Sequence, residues 1–229
     1  KLNRRWSSVR LPKLGTVKFR RDRPLGGGVR SVTLKADSVG DWFLIVLVDT
    51  ETQPAGRRSF GPTLGVDRGI AISAQASDGR SWQAPIPRQS EHDRRLRLER
   101  KLVRQQKGSK RHERTRAQIA KLRRRDGRRR IDWAHKVSAE LTEHAAIVGF
   151  EALPIAALTA SAKGTIDAPG RGVRQKAGLN RAILASGWGR LAEFTKYKGI
   201  KVGCEVVMVP AAYTSQRCSA CGQIAPGSR

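Results

Sequence analysis

Three short apolar runs constrain the fold of this chain more than any other feature: TLGVDRGIAI (63–72), AAIVGFEAL (145–153) and KVGCEVVMV (201–209). Each reads as a short strand. The first leads into a tight turn at Ser77 to Gly79 and the start of a returning strand. Between the first and second runs, Leu98 and Leu102, then Ile119 and Leu122, recur at three- or four-residue spacing, with KGSKR (107–111) as a break. That pattern predicts a helical hairpin, its second helix continuing along Trp133, Val137 and Leu141. Before the third run, residues 180–200 read as a helix with Leu184, Trp188, Leu191 and Phe194 or Thr195 on one stripe. Cys204 alternates with Val202, Val206 and Met208, which predicts a core-facing small hydrophobe.

Residues 1 to about 60 have a different texture. TVKF and VRSVTLK alternate apolar and polar residues, WFLIVLV runs apolar, and RPLGGG and DSVGD supply reversals. A small β-rich module is expected, with Arg20, Arg21, Arg23, Arg30 and Lys35 on its strands. TQPAGRRSFGPT (52–63), rich in Gly and Pro, marks the boundary between this module and the remainder of the chain.

Charge narrows the partners. Lys and Arg number 46 against 19 Asp and Glu, a net charge of +27, and such self-repulsion calls for a polyanion. Between Arg88 and Arg130 the ratio is 19 to 5, too lopsided for internal ion pairs to neutralise. The cations expected to meet nucleic acid are Arg94, Arg97, Lys101, Arg104, Lys107, Lys110, Arg111, Arg123, Arg124 and Arg128, with Arg171 and Arg174 in the Gly-rich stretch 158–180, expected to be a loop that orders on its ligand. No run of 18 apolar residues and no signal-peptide pattern occurs, so a membrane partner is not expected. Three cysteines, two of them in C-x-x-C, fit a reducing cytosol better than a disulfide framework.

Asp67 lies inside one apolar run and Glu151 near the end of another, where a carboxylate is costly unless compensated. Two acids brought together on neighbouring strands repel unless a divalent cation sits between them, and Mg²⁺ suits few carboxylates plus water and phosphate oxygens. The chemistry this favours is hydrolysis of a phosphodiester by activated water. Gly69, two residues after Asp67, reads as space for a backbone phosphate. A strand-end acid facing solvent is the plainer alternative for either residue alone.

The order strand, turn, strand, helices, strand, helix, strand is that of an RNase H-like domain. GVDRGI with SDG, IVGFEAL, SGWGRLAEFTKYK and YTSQRCSACG, in that order, closely resemble the TnpB (OrfB-type) proteins of insertion sequences, relatives of the type V CRISPR effectors. The resemblance implies an α/β fold: an RNase H-like (RuvC) mixed sheet over 63–213 with a basic helical-hairpin insertion at about 88–143. It implies the C-terminal part of a β-rich wedge-like domain over 1–60, and the first half of a zinc ribbon over 214–229. It further implies an RNA-guided DNA endonuclease of a transposable element, with guide RNA and target DNA as partners and a prokaryotic cytosolic setting. Asp67 and Glu151 match the catalytic, Mg²⁺-binding acids; Cys218 and Cys221 match the first zinc knuckle. Base pairing would read sequence while the protein holds the heteroduplex by shape and charge.

The chain departs from that pattern at its end. The family carries a second C-x-x-C and a third catalytic Asp beyond the first knuckle, whereas the sequence stops at Arg229 and begins at Lys1. Truncation at both ends is expected, as is an inactive or nearly inactive stretch, because two thiolates do not close a tetrahedral zinc site. A non-catalytic, degenerate nucleic-acid binder is the competing reading. A ribosomal-type zinc-ribbon protein leaves GVDRGI and GFEAL unexplained, and the block order argues against a DDE-type transposase. His135, on the helix before the second acid, is left open between packing and chemistry.

Overall fold

The computed structural model describes residues 5–50, 54–210, 221 and 223. The chain divides into two compact units, one formed by residues 1–53 with 96–121 and the other by 54–95 with 122–229.

In the first unit, β1 (Trp6–Leu11) and β2 (Gly15–Arg20) form one antiparallel hairpin. A second hairpin is formed by β3 (Gly28–Ala36) and β4 (Trp42–Asp49), with an irregularity between Val29 and Ser31. The turn of the second hairpin is dictated by its residues. The Asp37 carboxylate accepts hydrogen bonds from the backbone N–H of Val39 and Asp41, and Gly40 takes φ 94°. The strands lie where the alternation in residues 16–48 predicts them.

The second unit is built on a five-stranded mixed sheet in the order β7-β6-β5-β8-β9. Its strands are β5 (Thr63–Asp67), β6 (Ala74–Ala76), β7 (Ser81–Trp82), β8 (Ile147–Glu151) and β9 (Glu205–Val209). β6 runs antiparallel to β5 and to β7, while β5, β8 and β9 are mutually parallel. Between β7 and β8 the chain forms α1 (Gln89–Val103) and α2 (Lys110–His144), separated by a turn in which Gly108 takes φ 80° and the Ser109 hydroxyl accepts from the His112 N–H. Both helices contribute residues to both units. α2 continues unbroken along the stripe of Trp133, Val137 and Leu141.

The core of this unit has one composition rule: alternate strand residues facing one way. Leu64, Val66, Ala74, Ala76, Val148 and Phe150 pack against Val137 and Leu141 of α2, Ala145 just after it, and Leu191 and Ala192 of the last helix. Phe150, Leu141 and Leu191 are fully buried, each stabilising the fold by roughly 1.5–3 kcal/mol. Cys204 joins this core, as its alternation predicts.

The segment 155–202 departs from expectation. It carries a short α3 (Ile155–Leu158), then α4 (Val173–Ser186) and α5 (Trp188–Val202). α4 thus begins inside the stretch read as a ligand-ordered loop, and the single helix expected over 180–200 is two. Gly187, at φ 75°, ends α4 and starts α5, which turns Leu184 out to solvent and puts Ile183 inside instead. α4 is tethered to the preceding chain: Lys176 Nζ donates to the Leu158 carbonyl at 2.7 Å, and Asn180 Nδ2 to that of Thr159 at 2.8 Å.

The Gly/Pro stretch ahead of β5 is also not a free spacer from residue 54 onward. Ala55 N–H donates to Ile200 O and Arg58 N–H to Gly203 O. The Arg58 guanidinium donates to the carbonyls of Glu143 (2.8 Å), Ala145 (3.1 Å) and Val202 (3.3 Å), capping the C-terminal ends of α2 and α5.

Candidate active site and cationic surfaces

β5 and β8 are parallel neighbours in register from Thr63↔Ile147 to Val66↔Phe150. Asp67 and Glu151 come directly after that last pair, on strands whose usual spacing is about 4.8 Å. Because side chains alternate, burying Leu64 and Val66, Val148 and Phe150 leaves Asp67 and Glu151 on the opposite, accessible face. The row extends both ways, since Asp67 pairs with Gln75 of β6 and Glu151 with Val209 of β9. All four residues line one open cavity of about 570 Å³, together with Gly65, Ser77 and Gly149. The carboxylates sit at the C-terminal ends of parallel strands, the edge where open α/β sheets bind ligands.

Arg68 organises the back of this row. It is 5% exposed, and its guanidinium lies over the Phe150 ring, 5.3 Å from the centroid. Nη1 donates to the Trp188 carbonyl at 3.1 Å and Nη2 to the carbonyl of Glu151. Trp188 returns the link, its indole N–H donating to Gly69 O at 3.0 Å. Burial pushes the Arg68 pKa down, and the charges of Glu151 and Asp67 pull it up; the net displacement is downward. A guanidinium remains cationic regardless, so a fixed positive charge stands behind the two acids. Sequence reasoning missed Arg68, although a cation beside an acid at an apolar strand end was visible as a signal.

Gly69 plays a different part from the one expected. β5 ends at Asp67, and Gly69 belongs to the next turn, its N–H donating to Ile72 O at 3.0 Å. A Cβ at Gly69 would lie 2.8 Å from that carbonyl, so the glycine admits a backbone rather than a phosphate. The chain therefore reverses before the Ser-Asp-Gly turn, which instead separates β6 from β7. The empty floor beside the acids is supplied by Gly65 and Gly149.

These two carboxylates fit a hard divalent cation that keeps several waters, as Mg²⁺ does. Among the described residues no group of three or more His, Cys, Asp or Glu is placed to hold a metal. Cys218 lies outside the described residues, and Cys221 is exposed with a free thiol. His135 does not line the cavity. Its ring stacks on Phe194 with centroids 4.1 Å apart, and its Nδ1 lies 3.2 Å from the Tyr197 hydroxyl.

Of the cations singled out from sequence, Arg94, Arg97, Lys101, Arg104, Lys107, Lys110, Arg111, Arg123, Arg128, Arg171 and Arg174 are exposed, and Arg124 is half-buried. The structure brings Arg97, Lys101 and Arg104 together with Arg100 and Gln105 around a groove of about 490 Å³ on the α1 side of the hairpin. Arg100 was not expected there, though its i, i+3, i+4 spacing placed it on the same stripe. Arg125 and Arg129 are occupied differently, both bonding the Glu91 carboxylate at 2.8 and 2.6 Å.

A mixed α/β unit with paired acids on its accessible face, flanked and interrupted by strongly basic segments, defines the class. Residues 46–162 match the family model OrfB_IS605, described as "Probable transposase", and residues 188–229 match the TNB domain of Cas12f1-like proteins. The chain belongs to the OrfB_IS605, TnpB-like family. It is 35% identical over 229 residues to the Escherichia coli (strain K12) protein named "Putative RNA-guided DNA endonuclease InsQ", covering 100% of this chain and 56% of that protein. It is 26% identical over 209 residues to a "Putative RNA-guided DNA endonuclease" of Streptomyces pristinaespiralis, covering 91% and 48%. The chain thus spans about half the length of the curated relatives it matches. Among solved structures, a Cas12f1–sgRNA–target DNA complex aligns over 84% of this chain and 45% of that chain, at 15% identity and a TM-score of 0.39. A CRISPR–Cas12f ternary complex aligns over 84% and 37%, at 16% identity and 0.40.

Proposed function

We propose that this chain is the nuclease-bearing part of an RNA-guided DNA endonuclease of a transposable element, with guide RNA and target DNA as partners. The observation that carries the reading is the placement of Asp67 and Glu151 side by side at the ends of parallel β5 and β8, in one cavity. Residues 63–213 are then an RNase H-like (RuvC) domain with the basic hairpin at about 88–143 inserted in it, and residues 1–60 a wedge-like module. Residues 214–229 are the first half of a zinc ribbon, with Cys218 and Cys221 as its zinc ligands. Membership of the family supports this, as do the names of the relatives.

Asp67 and Glu151 would hold Mg²⁺, which supplies a polarised water and charge stabilisation at the phosphate undergoing hydrolysis. The chain's own residues do the rest. The two carboxylates orient their oxygens into the cavity because alternation points them there. Arg68 fixes the Glu151 backbone and sets a positive charge within the field of both acids. The exposed hairpin cations, those of the α1 groove foremost, hold the nucleic acid by its phosphates.

The second reading, a nucleic-acid binder that does not cut, is favoured by one observation: among the described residues the cavity is lined by two acids, and no group of three or more His, Cys, Asp or Glu is placed to hold a metal. The 229-residue stretch by itself is accordingly expected to cut weakly or not at all. The test is guided cleavage of plasmid DNA with Mg²⁺ by the product of the whole gene, co-expressed with the RNA of its own locus. Asp67→Asn and Glu151→Gln should each reduce the rate by about 100-fold or more while leaving RNA binding intact. Cleavage by the wild type that survives both substitutions would end the nuclease reading, and no cleavage by the wild type would favour the binder.

A further inference from the structure

We propose that Gly65 and Gly149 form the seat for a single deoxyribose of the DNA strand being cut, beside the phosphate held at Asp67 and Glu151. The proposal rests on the nuclease reading and adds to it the way in which the site chooses its sugar.

The two glycines are register partners on β5 and β8, one step of the pleat behind the acids and on the same face. Both line the cavity. Neither is there for backbone reasons. Neither takes a positive φ, and a Cβ at Gly65 would meet nothing closer than Ser77 Cβ at 4.0 Å, at Gly149 nothing closer than Leu64 O at 3.9 Å. Glycine weakens a strand and needs a reason. Two of them abreast, with room for side chains that are absent, leave a trough whose floor is bare main chain.

The chemistry of that floor selects its occupant. The Gly65 N–H is donated to Ser77 Oγ at 3.1 Å, its carbonyl accepts from Ser77 N–H at 2.8 Å, and Gly149 is held between β5 and β9 in register. The main-chain groups of Gly65 are therefore taken by Ser77, and Gly149 lies within the strand pairing. A deoxyribose presents C–H to such a floor without loss, whereas a ribose turned with its 2′-hydroxyl toward the floor would give up water there and meet main chain that is already paired. Gln75, the pair of Asp67 across β5 and β6, stands at the rim, its carboxamide able to donate to a phosphate oxygen.

The experiment uses the 229-residue chain in Mg²⁺ and about 0.3 M KCl, which screens the diffuse basic surface. The probes are trideoxyuridylate and its ribo counterpart. Affinities are read by fluorescence anisotropy and located by the amide shifts of residues 65 and 149, and melting temperature is followed in parallel. Wild type should bind the deoxy probe about 5-fold or more tightly than the ribo probe. Gly65→Ala and Gly149→Ala should each weaken the deoxy probe about 10-fold, while Tm stays level or rises by about 1–3 °C, because alanine fits both backbones and restricts the unfolded chain. Equal affinity of the two probes, or alanine variants that bind as wild type, would overturn the proposal. So would a fall in Tm above about 4 °C, which would make the glycines structural. Cutting is not read here, so a chain that never cleaves sinks the nuclease reading without moving these affinities.

Discussion

The guanidinium of Arg68 is hydrogen-bonded to the main-chain carbonyl of Glu151, so the cation next to the first acid in sequence grips the backbone of the second. A second bond, to the Trp188 carbonyl, extends the grip to the start of α5. Arg68→Met keeps the bulk and removes the guanidinium donors, leaving two carbonyls without a charged partner. Stability should fall by about 2–4 kcal/mol in urea denaturation. Arg68→Lys should recover only part of it, because one ammonium cannot reproduce the fork. Should Mg²⁺-dependent cleavage be established, the Met variant is expected to need more Mg²⁺ for half-maximal rate even at temperatures where it is folded.

Arg58 should behave as a structural clamp with no catalytic signature. Arg58→Ala uncaps the ends of two helices and is expected to cost about 2–3 kcal/mol, measured by thermal and urea unfolding. Nucleic-acid affinity at a temperature well below Tm should be unchanged.

Acid should loosen the base of the hairpin in a defined window. Hydrogen bonds from Arg129 and Arg125 hold the Glu91 carboxyl down to about 2, below its ordinary 4.5. The folded value lies below the unfolded one, so the contribution is complete above about pH 4.5 and is lost as pH falls from there towards 2. Glu91→Gln should therefore flatten the stability profile in that window and leave the profile above about pH 5 parallel to wild type. Tm measured from about pH 2 to 7 reads this directly.

The α1 groove should account for a countable share of the salt dependence of binding. Replacing Arg97, Arg100, Lys101 and Arg104 together by alanine should weaken single-stranded nucleic acid uniformly across sequences. The slope of log K against log salt should drop by about 2–3, since each phosphate contact on a single strand contributes about 0.7. The same four changes on exposed helix positions should leave Tm within about 2 °C of wild type.

The sheet strands and their acids were legible because two local signals coincide there: period-two burial, and a carboxylate placed where apolar neighbours make it expensive. The hairpin was legible for the same reason at the helical period. What escaped depended on partners distant in sequence. Nothing local says that Arg68 folds inward toward Glu151 and Trp188 rather than outward with the other cations. Gly69 and Gly65 look equivalent in TLGVDRGI, and only the approach of the Ile72 carbonyl to one and the vacant space over the other separates their roles. α4 was hidden by glycines and cations that read as loop, and its helix is held by Lys176 and Asn180 reaching back to carbonyls at 158–160. The break at Gly187 needed knowledge of its left-handed backbone.

The clamp made by Arg58 also says where this polypeptide can be divided. A stretch that composition marks as a boundary is, from residue 54, knitted to the tails of two helices and leads straight into the strand bearing the first acid. Grafting, splitting or lengthening the chain inside 54–62 would pull on that strand itself, so a cut made there disturbs the first acid.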